Sequence, residues 1–218
     1  MLNRRVKPPK TGENRVKLYD GGRAPNPRRV RIFLKEKGIE VPIEPVDLVA
    51  MQHKSERFTA INPLQRVPVL ELDDGTVIAE SIAICRYFEA LHPQPALFGT
   101  SPVEIARIEM WQRRIELNLM LGLAHVFRHL HPGMKEFEVP QVAEWGEVNK
   151  GRVMDFLALL DRELANRRFA AGDQYSVADI TGLISIDFLR PAKLPLPAAL
   201  VHVARWHAEL AARPSAGA

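Results

Sequence analysis

The chain has 218 residues, of which 46% are apolar and 26% charged, and this profile is typical of a globular protein with one or two domains. It has no run of about 18 apolar residues, so no membrane-spanning helix is expected. The net charge of +4 does not indicate a nucleic-acid partner. Residues 1–17 hold six basic residues against Glu13 alone, so the rest of the chain has a net charge of −1. We therefore expect a flexible basic tail at 1–15. The only cysteine, Cys85, excludes an internal disulfide and suits a reducing, cytoplasmic compartment.

The first part of the chain predicts a small α/β domain over residues 16–90, in the order βαβ and then ββα. Asn26 is expected to cap the first helix with Pro27 at its first position, and Gly38 to end it. Ser81 is expected to cap the last helix of this domain. Because a helix crosses between the first two strands, those strands should be parallel. The strands are expected at 16–19, 43–48, 67–72 and 76–78, with a short irregular helix at 52–60 and a turn at 73–75.

The second part of the chain predicts an all-α domain over residues 103–212. Residues 91–102 contain three prolines and one glycine, which indicates a linker, and strand patterns end there. Capping boxes that begin at Ser101 and Ser176 each mark the start of a helix. The helices are expected at about 103–131, 141–165, 176–190 and 198–211.

Four motifs occur in order along the chain: Ala24-Pro25-Asn26-Pro27-Arg28-Arg29-Val30, the stretch from Asn62 to Leu70, the stretch from Glu80 to Ile84, and the stretch from Ser176 to Ile180. Together they resemble the motifs of the glutathione S-transferase family. The resemblance covers residues 16 to about 212, and its motif at the first helix is closest to that of an asparagine-containing, nu-like bacterial and fungal subgroup with disulfide-reductase members. It implies a thioredoxin-like N-terminal domain, an all-helical C-terminal domain, glutathione as co-substrate and a homodimer.

The resemblance implies how glutathione would bind. A cis bond between Val67 and Pro68 would turn the backbone of residue 67 outward, so that the cysteinyl part of glutathione could pair with it as an added strand. The first turn of a helix holds free N–H groups, so Ser81 could bind the γ-glutamyl carboxylate while Glu80 meets the ammonium group. Simple helix capping by Ser81, and a proline merely tolerated at a strand start, are the alternatives.

The family's positions for the glycine carboxylate of glutathione are occupied here by His53, Lys54 and Gln65. A cation and hydrogen-bond donors suit a carboxylate, although a lysine or histidine near a loop is usually only solvated.

The group that activates the thiol departs from the commonest family pattern. Ala24 stands where many relatives have serine or cysteine, and it has no hydrogen-bonding side chain. Asn26 is the candidate catalytic residue, because its amide N–H₂ can donate to a thiolate and a helix N-terminus lowers thiol pKa values. Capping alone would also explain Asn26. Tyr19, at a strand end, is the competing donor and fits a structural role better.

Cys85 and a group of three histidines could be reactive or bind a metal, but structural roles explain them better. Cys85 lies among apolar neighbours and is expected to be a buried structural thiol. His125, His129 and His131 have no carboxylate or cysteine at ligand spacing, so no metal site is expected.

The sequence thus predicts an enzyme that activates the glutathione thiol, through Asn26, for attack on a small electrophile. A glutathione-dependent disulfide-bond oxidoreductase is the close alternative, and a non-catalytic glutathione-binding or interaction module is a more distant one. Glutathione and a small electrophilic or disulfide substrate are the expected partners, with no nucleic acid and no membrane.

Overall fold

The structure, a computed structural model, describes residues 16–218, and the basic tail predicted at 1–15 lies outside the described residues. Four strands form one mixed sheet in the order β2-β1-β3-β4. Strands β1 and β2 are parallel, as predicted, and the two other pairs are antiparallel. The strands are β1 (Lys17–Asp20), β2 (Ile43–Pro45), β3 (Val69–Glu71) and β4 (Val77–Ala79).

Within residues 16–218 the structure has eight α-helices. Five of them follow residue 101, and no strand occurs in that part of the chain. The long helix predicted after residue 102 is one rod, but a π-helical segment at Glu116–Met120 joins α4 to α5. No helix of the described residues is long and apolar enough to cross a bilayer. The helices are α1 (Pro25–Lys37), α2 (Glu56–Ile61), α3 (Ser81–Leu91), α4 (Pro102–Ile115), α5 (Leu121–Leu130), α6 (Ala143–Leu164), α7 (Val177–Phe188) and α8 (Val201–Ala211), with short 3-10 turns at Gln52–Lys54, Pro132–Met134 and Pro214–Gly217.

The two faces of the sheet bury different side chains, because successive residues of a strand point to opposite sides. On β1, Leu18 joins the main apolar core, whereas Tyr19 joins a smaller cluster that includes Phe58 of α2. The main core continues without interruption from the sheet into the helices after residue 101. Helix α1 packs against both α3 and α7. Its position is therefore set by the sheet and by the helical half together.

Helix α1 begins two residues earlier than the capping pattern predicts. Its first residue is Pro25, its N-cap is Ala24, and Asn26 is the second helical residue with no capping hydrogen bond. The prediction that Asn26 caps the helix was wrong, because Pro25 has the φ angle and the missing N–H that suit the first helical position. At the other end Gly38 has φ 65° and its N–H bonds the carbonyl of Leu34, as predicted.

Helix α3 also begins earlier than predicted. Its N-cap is Glu80, which has the uncommon φ of 68°, and Ser81 is the first helical residue. The prediction that Ser81 caps this helix was therefore wrong, since its hydroxyl makes no capping bond. That leaves the Ser81 hydroxyl available for contacts outside the helix.

The capping box at the start of α7 is confirmed. Asp179 accepts hydrogen bonds from the backbone N–H and the hydroxyl of Ser176, at 2.9 and 3.0 Å. The same buried carboxylate accepts from the N–H of Ala170 at 2.8 Å and from Trp206 Nε1 at 2.9 Å. Trp206 lies so close to Gly182 that any β-carbon there would be 2.0 Å from its ring. This network joins α7 to α8 and to the loop that precedes α7.

Candidate functional site

The first turn of α1 offers few hydrogen-bond donors, and those without a partner belong to Asn26. Pro25 and Pro27 have no N–H, and the N–H of Arg28 bonds the carbonyl of Ala24 at 3.2 Å. Among the described residues, the N–H of Asn26 has no partner, and its side chain is exposed. An anion at this end of the helix would therefore meet the backbone and side-chain donors of one residue.

Asn26 and Ser81 are brought together although 55 residues separate them. The Ser81 hydroxyl lies 3.5 Å from Asn26 Oδ1, so the amide oxygen faces Ser81. Asn26 Nδ2 has no hydrogen-bond partner among the described residues and is free to donate. The predicted thiol-activating residue and the predicted γ-glutamyl site are thus neighbours.

The start of α3 can hold a carboxylate. The N–H groups of Ser81, Ile82 and Ala83 precede the first intrahelical bond, which runs from Ile84 to the carbonyl of Glu80 at 3.0 Å. Such free N–H groups and the helix dipole favour a negative charge. The exposed Glu80 stands at the same point, and its positive φ is the kind of backbone strain that collects at binding sites.

A buried cation, Arg29, lies directly behind Ser81. Arg29 is 1% exposed, and its guanidinium donates to Ser81 Oγ and to Glu116 Oε1, each at 2.9 Å. Burial lowers the pKa of Arg29, and the charge of Glu116 opposes that effect. Because Ser81 Oγ accepts from Arg29, the hydroxyl proton of Ser81 must point elsewhere, toward Asn26 or a bound carboxylate.

Sequence reasoning did not assign Arg29 to the site. A signal existed, because Arg29 lies four residues before Phe33 and three before Ile32, and both of those side chains are fully buried. The π-helical segment was not predicted either. It supplies Glu116 and Met120, whose sulfur is also a contact of Arg29, and so connects the helical half to the site.

The predicted backbone edge at Val67 lies beside the loop that leads into α1. The Val67–Pro68 peptide bond is cis, as the resemblance implied. Among the described residues, neither backbone polar group of Val67 has a hydrogen-bond partner. A β-carbon added to Gly21 would be 2.7 Å from Val67 Cγ2, so the two chain segments touch. Asn62 holds the loop before this edge, donating to the carbonyl of Arg66 at 2.9 Å.

No side-chain hydrogen bond joins Gln65, His53 and Lys54 to one another among the described residues. Gln65 has φ 55°, and one N–H of its side-chain amide donates to Thr59 Oγ1 at 2.9 Å, which leaves its second N–H and its amide oxygen available. His53 Nδ1 is buried without a partner among the described residues. Burial, then the charge of Lys54, lowers the pKa of His53, so His53 is neutral near pH 7. The Lys54 ammonium lies 5.8 Å from the ring centre of Phe137, a residue of the helical half.

Other chemically capable residues have structural partners. Tyr19 donates its hydroxyl to Glu71 at 2.7 Å, on the sheet face opposite the main core. Burial raises the pKa of Cys85 to about 12, so its thiol is protonated and enclosed. His129 Nδ1 accepts from the N–H of Val142, and no cluster of three metal-ligating side chains occurs among the described residues.

Comparisons with known proteins agree with the geometry. Residues 24–91 match the N-terminal domain of glutathione S-transferases, and residues 128–214 match the C-terminal domain. The curated protein "Glutathione S-transferase 2" of Saccharomyces cerevisiae is 38% identical over 201 residues, which cover 91% of this chain and 86% of that one. The chain belongs to the glutathione S-transferase family.

Solved structures of this glutathione S-transferase family superpose closely on the chain. A glutathione S-transferase domain-containing protein from Marinobacter aquaeolei has a TM-score of 0.88 at 42% identity, covering 91% of this chain and 98% of that one. Gtt2 from Saccharomyces cerevisiae has the same TM-score at 37% identity, covering 92% and 98%. A Gtt2-class glutathione S-transferase from Vibrio parahaemolyticus has 0.81 at 38%, covering 91% and 94%. The thioredoxin-like half and the all-helical half are both confirmed by these matches.

Proposed function

We propose that this protein is a glutathione S-transferase that binds reduced glutathione at the junction of α1, α3 and the Val67 edge, and lets the thiolate attack an electrophilic substrate. The observation that carries the proposal is the pair of unpartnered donors on Asn26 beside the Ser81 hydroxyl. The thiol loses its proton to solvent, the thiolate sulfur bonds to the electrophilic atom, and the leaving group departs with its bonding electrons.

Each part of glutathione has a matching group. The γ-glutamyl carboxylate is placed on the N–H groups at the start of α3 and the Ser81 hydroxyl, with its ammonium group near Glu80. The cysteinyl backbone pairs with the free N–H and C=O of Val67, held beside Pro68. The glycine carboxylate meets the charge of Lys54 together with His53 and Gln65. Because His53 is neutral, Lys54 supplies the positive charge in this arrangement, and the free N–H of the Gln65 amide can donate beside it.

The thiol is activated by hydrogen-bond donors rather than by a base of the enzyme. A thiolate near Asn26 can accept from Asn26 Nδ2 and from the Asn26 N–H, and the dipole of α1 adds positive potential there. Ala24 contributes nothing beyond its N-cap position. Stabilising the ionised form lowers the pKa of the bound thiol toward neutrality, which raises the concentration of the nucleophile.

Disulfide substrates are the second candidate, and the Ala24–Asn26 pattern of the nu-like subgroup favours them. Cys85 is enclosed, so both thiols must come from glutathione. The first thiolate would attack the disulfide to give a mixed disulfide and release one thiolate. A second glutathione thiolate would then release the other half and form oxidised glutathione, so that two electrons pass from glutathione to the substrate.

A second copy of this chain is the partner we propose. Four apolar side chains with exposed fractions between 41% and 67% follow one face of the rod that runs from α4 to α5, at spacings of seven, seven and four residues. An exposed apolar stripe of this kind is typical of an interface. Light scattering on the purified protein should give twice the mass of the chain, and a monomer at micromolar concentration would contradict it. The four residues are Val103, Met110, Leu117 and Leu121.

The decisive experiment has two stages. Retention on a glutathione-affinity column and elution by free glutathione establish binding, whereas flow-through would exclude both enzymatic proposals and leave a non-catalytic module without glutathione. The ultraviolet absorbance of the bound thiolate is then titrated in the native protein and in Asn26→Ala, Asn26→Asp and the exposed-site control Asn166→Ala. We expect the thiol pKa to increase from native to alanine to aspartate. Equal values in native and Asn26→Ala proteins would exclude Asn26 as the activating residue.

Turnover separates the two substrates. A chloronitroaromatic compound tests transfer to carbon, and a mixed disulfide with glutathione tests reduction. Activity on the disulfide alone would assign the protein to the reductase subgroup. The cytoplasmic location stays a prediction that rests on the single, enclosed cysteine.

A further inference from the structure

The segment that follows α8 lies along α1. Arg213 donates two hydrogen bonds to the carboxylate of Glu36, at 2.8 and 2.7 Å, and the hydroxyl of Ser215 bonds the same carboxylate. Ser215 is buried, and the side chain of Glu36 is 10% exposed. We call the residues 213–216 the clasp. Its first anchor is therefore at the last turn of α1.

The clasp is also anchored at the first turn of α1. Arg28 donates to the carbonyl of Ala216 at 2.9 Å and to Asp187 Oδ2 at 2.6 Å. The other oxygen of Asp187 lies 2.7 Å from His207 Nε2, so α7 and α8 take part in the same anchor. Arg28 and Glu36 are eight residues apart, which is about 12 Å along a helix. Both ends of α1 are thus tied to the helical half.

The first turn of α1 needs such an anchor more than most helix ends do. Helix ends lack half of their internal hydrogen bonds and open most readily. Here Pro25 and Pro27 also remove two donors that could bind neighbouring loops, so the bond from the Arg28 N–H to Ala24 is the first intrahelical bond of α1. The side chain of Arg28 leaves the helix only two residues after Asn26.

We propose that Arg28 is a positioning residue: by holding Asp187 and the clasp, it fixes the first turn of α1 so that both donors of Asn26 face the glutathione sulfur. This inference rests on the proposed function and adds a residue to it. Arg28 acts through geometry and not through its charge, because that charge is already paired with Asp187 at 2.6 Å. Two separate nitrogens of the planar guanidinium donate to Asp187 and to the Ala216 carbonyl. The single ammonium nitrogen of a lysine cannot reproduce that geometry.

Three variants separate geometry from charge. Arg28→Ala removes the anchor and the charge, Arg28→Lys keeps the charge without the fork, and Arg23→Ala removes an exposed charge from the loop that precedes α1. We expect amide hydrogen exchange in residues 24–30 to be faster in both Arg28 variants and unchanged in Arg23→Ala. We expect the thiol pKa of bound glutathione to rise by about half a unit in both Arg28 variants, because the potential and donors at a helix end are worth about that much.

Steady-state kinetics should also separate the two Arg28 variants from the native protein and from Arg23→Ala. The KM for glutathione should change less than about twofold, because the Ser81 and Val67 contacts remain, while kcat near pH 6.5 falls about threefold as less thiolate forms. Arg213→Ala releases the far end of the clasp and should shift the thiol pKa in the same direction by a smaller amount. Arg213→Ala also provides a test of the anchor if the Arg28→Ala protein folds poorly.

Several results would overturn the inference. Arg28→Lys behaving like the native protein while Arg28→Ala does not would assign the effect to charge. Unchanged exchange in residues 24–30, or a thiol pKa in both Arg28 variants equal to that in Arg23→Ala, would show that the anchor does not position Asn26. Failure of the native protein to bind glutathione would refute the proposed function and this inference with it, whereas binding with an unshifted thiol refutes only the role of Arg28.

Discussion

Removing the carboxylate of Glu116 should destabilise the protein more than removing the buried cation it pairs with. Arg29 is 1% exposed, and Glu116, at 2.9 Å, is its ion-pair partner among residues 16–218. In Glu116→Gln the cation stays in the protein interior without a counter-charge. Breaking a buried ion pair in this way costs about 3–5 kcal/mol. We expect the lower end of that range, because glutamine still offers an acceptor.

The reverse substitution leaves a group that can be solvated. In Arg29→Met the remaining Glu116 side chain is 24% exposed, and its other oxygen still accepts from Arg113 at 2.9 Å. Methionine also fills most of the volume of arginine, and replacing buried ions by apolar side chains is often close to neutral. We therefore expect Arg29→Met to cost about 1 kcal/mol, roughly one third of the cost of Glu116→Gln.

Glutathione affinity should follow the opposite order. Without Arg29 the Ser81 hydroxyl is no longer oriented toward the ligand, so Arg29→Met should weaken binding about tenfold, the equivalent of one hydrogen bond. Glu116→Gln should change binding less than threefold. Urea unfolding followed by tryptophan fluorescence, and calorimetric titration with glutathione, measure the two effects. Arg113→Met, at an exposed site, is the control and should cost less than about 1 kcal/mol. An Arg29→Met protein that is less stable than Glu116→Gln would refute this reasoning.

Three further outcomes are expected. Cys85, whose pKa burial raises to about 12, should not react with a disulfide reagent at pH 8 until the protein is denatured, and a rapidly reacting thiol would contradict its burial. Asp179→Asn should cost about 2–4 kcal/mol in chemical denaturation, because each carboxylate oxygen accepts from two donors and the new amide nitrogen replaces one of these oxygens. Burial opposes ionisation of Glu36, but hydrogen bonds from Arg213 and Ser215 hold its pKa below 4.5. Glu36 thus stabilises the fold above pH 4.5 and loses that effect as the pH falls through its lowered pKa, so the difference in Tm between native protein and Glu36→Gln should be full at pH 7 and shrink as the pH falls below 4.5.

Features set by local chemistry were predictable from the sequence. Gly38 ends α1 because a left-handed residue is needed there, and the Ser176 capping box needs only its own four residues. The N-cap predictions at Asn26 and Ser81 were wrong, because asparagine and serine are favoured caps in general. In the structure Ala24 and Glu80 occupy the N-cap positions instead. Arg28 and Arg29 are adjacent and chemically identical, yet one binds the clasp and the other lies beneath Ser81. Only the packing of distant helices distinguishes them.

The absence of a serine or cysteine at position 24 is compatible with catalysis when the first turn is considered as a whole. A serine would contribute one hydroxyl donor from a side chain that can rotate, whereas Asn26 combines a backbone N–H with a planar amide on a helix held at both ends. The two prolines exclude other first-turn amides, so a thiolate has a single set of donors to approach. In the proposed mechanism α1 fixes those donors, so the groups that hold α1 would contribute to catalysis through their effect on its first turn. Under that mechanism, the hydrogen bond from Arg28 to the Ala216 carbonyl would influence the reactivity of a glutathione sulfur that neither group contacts.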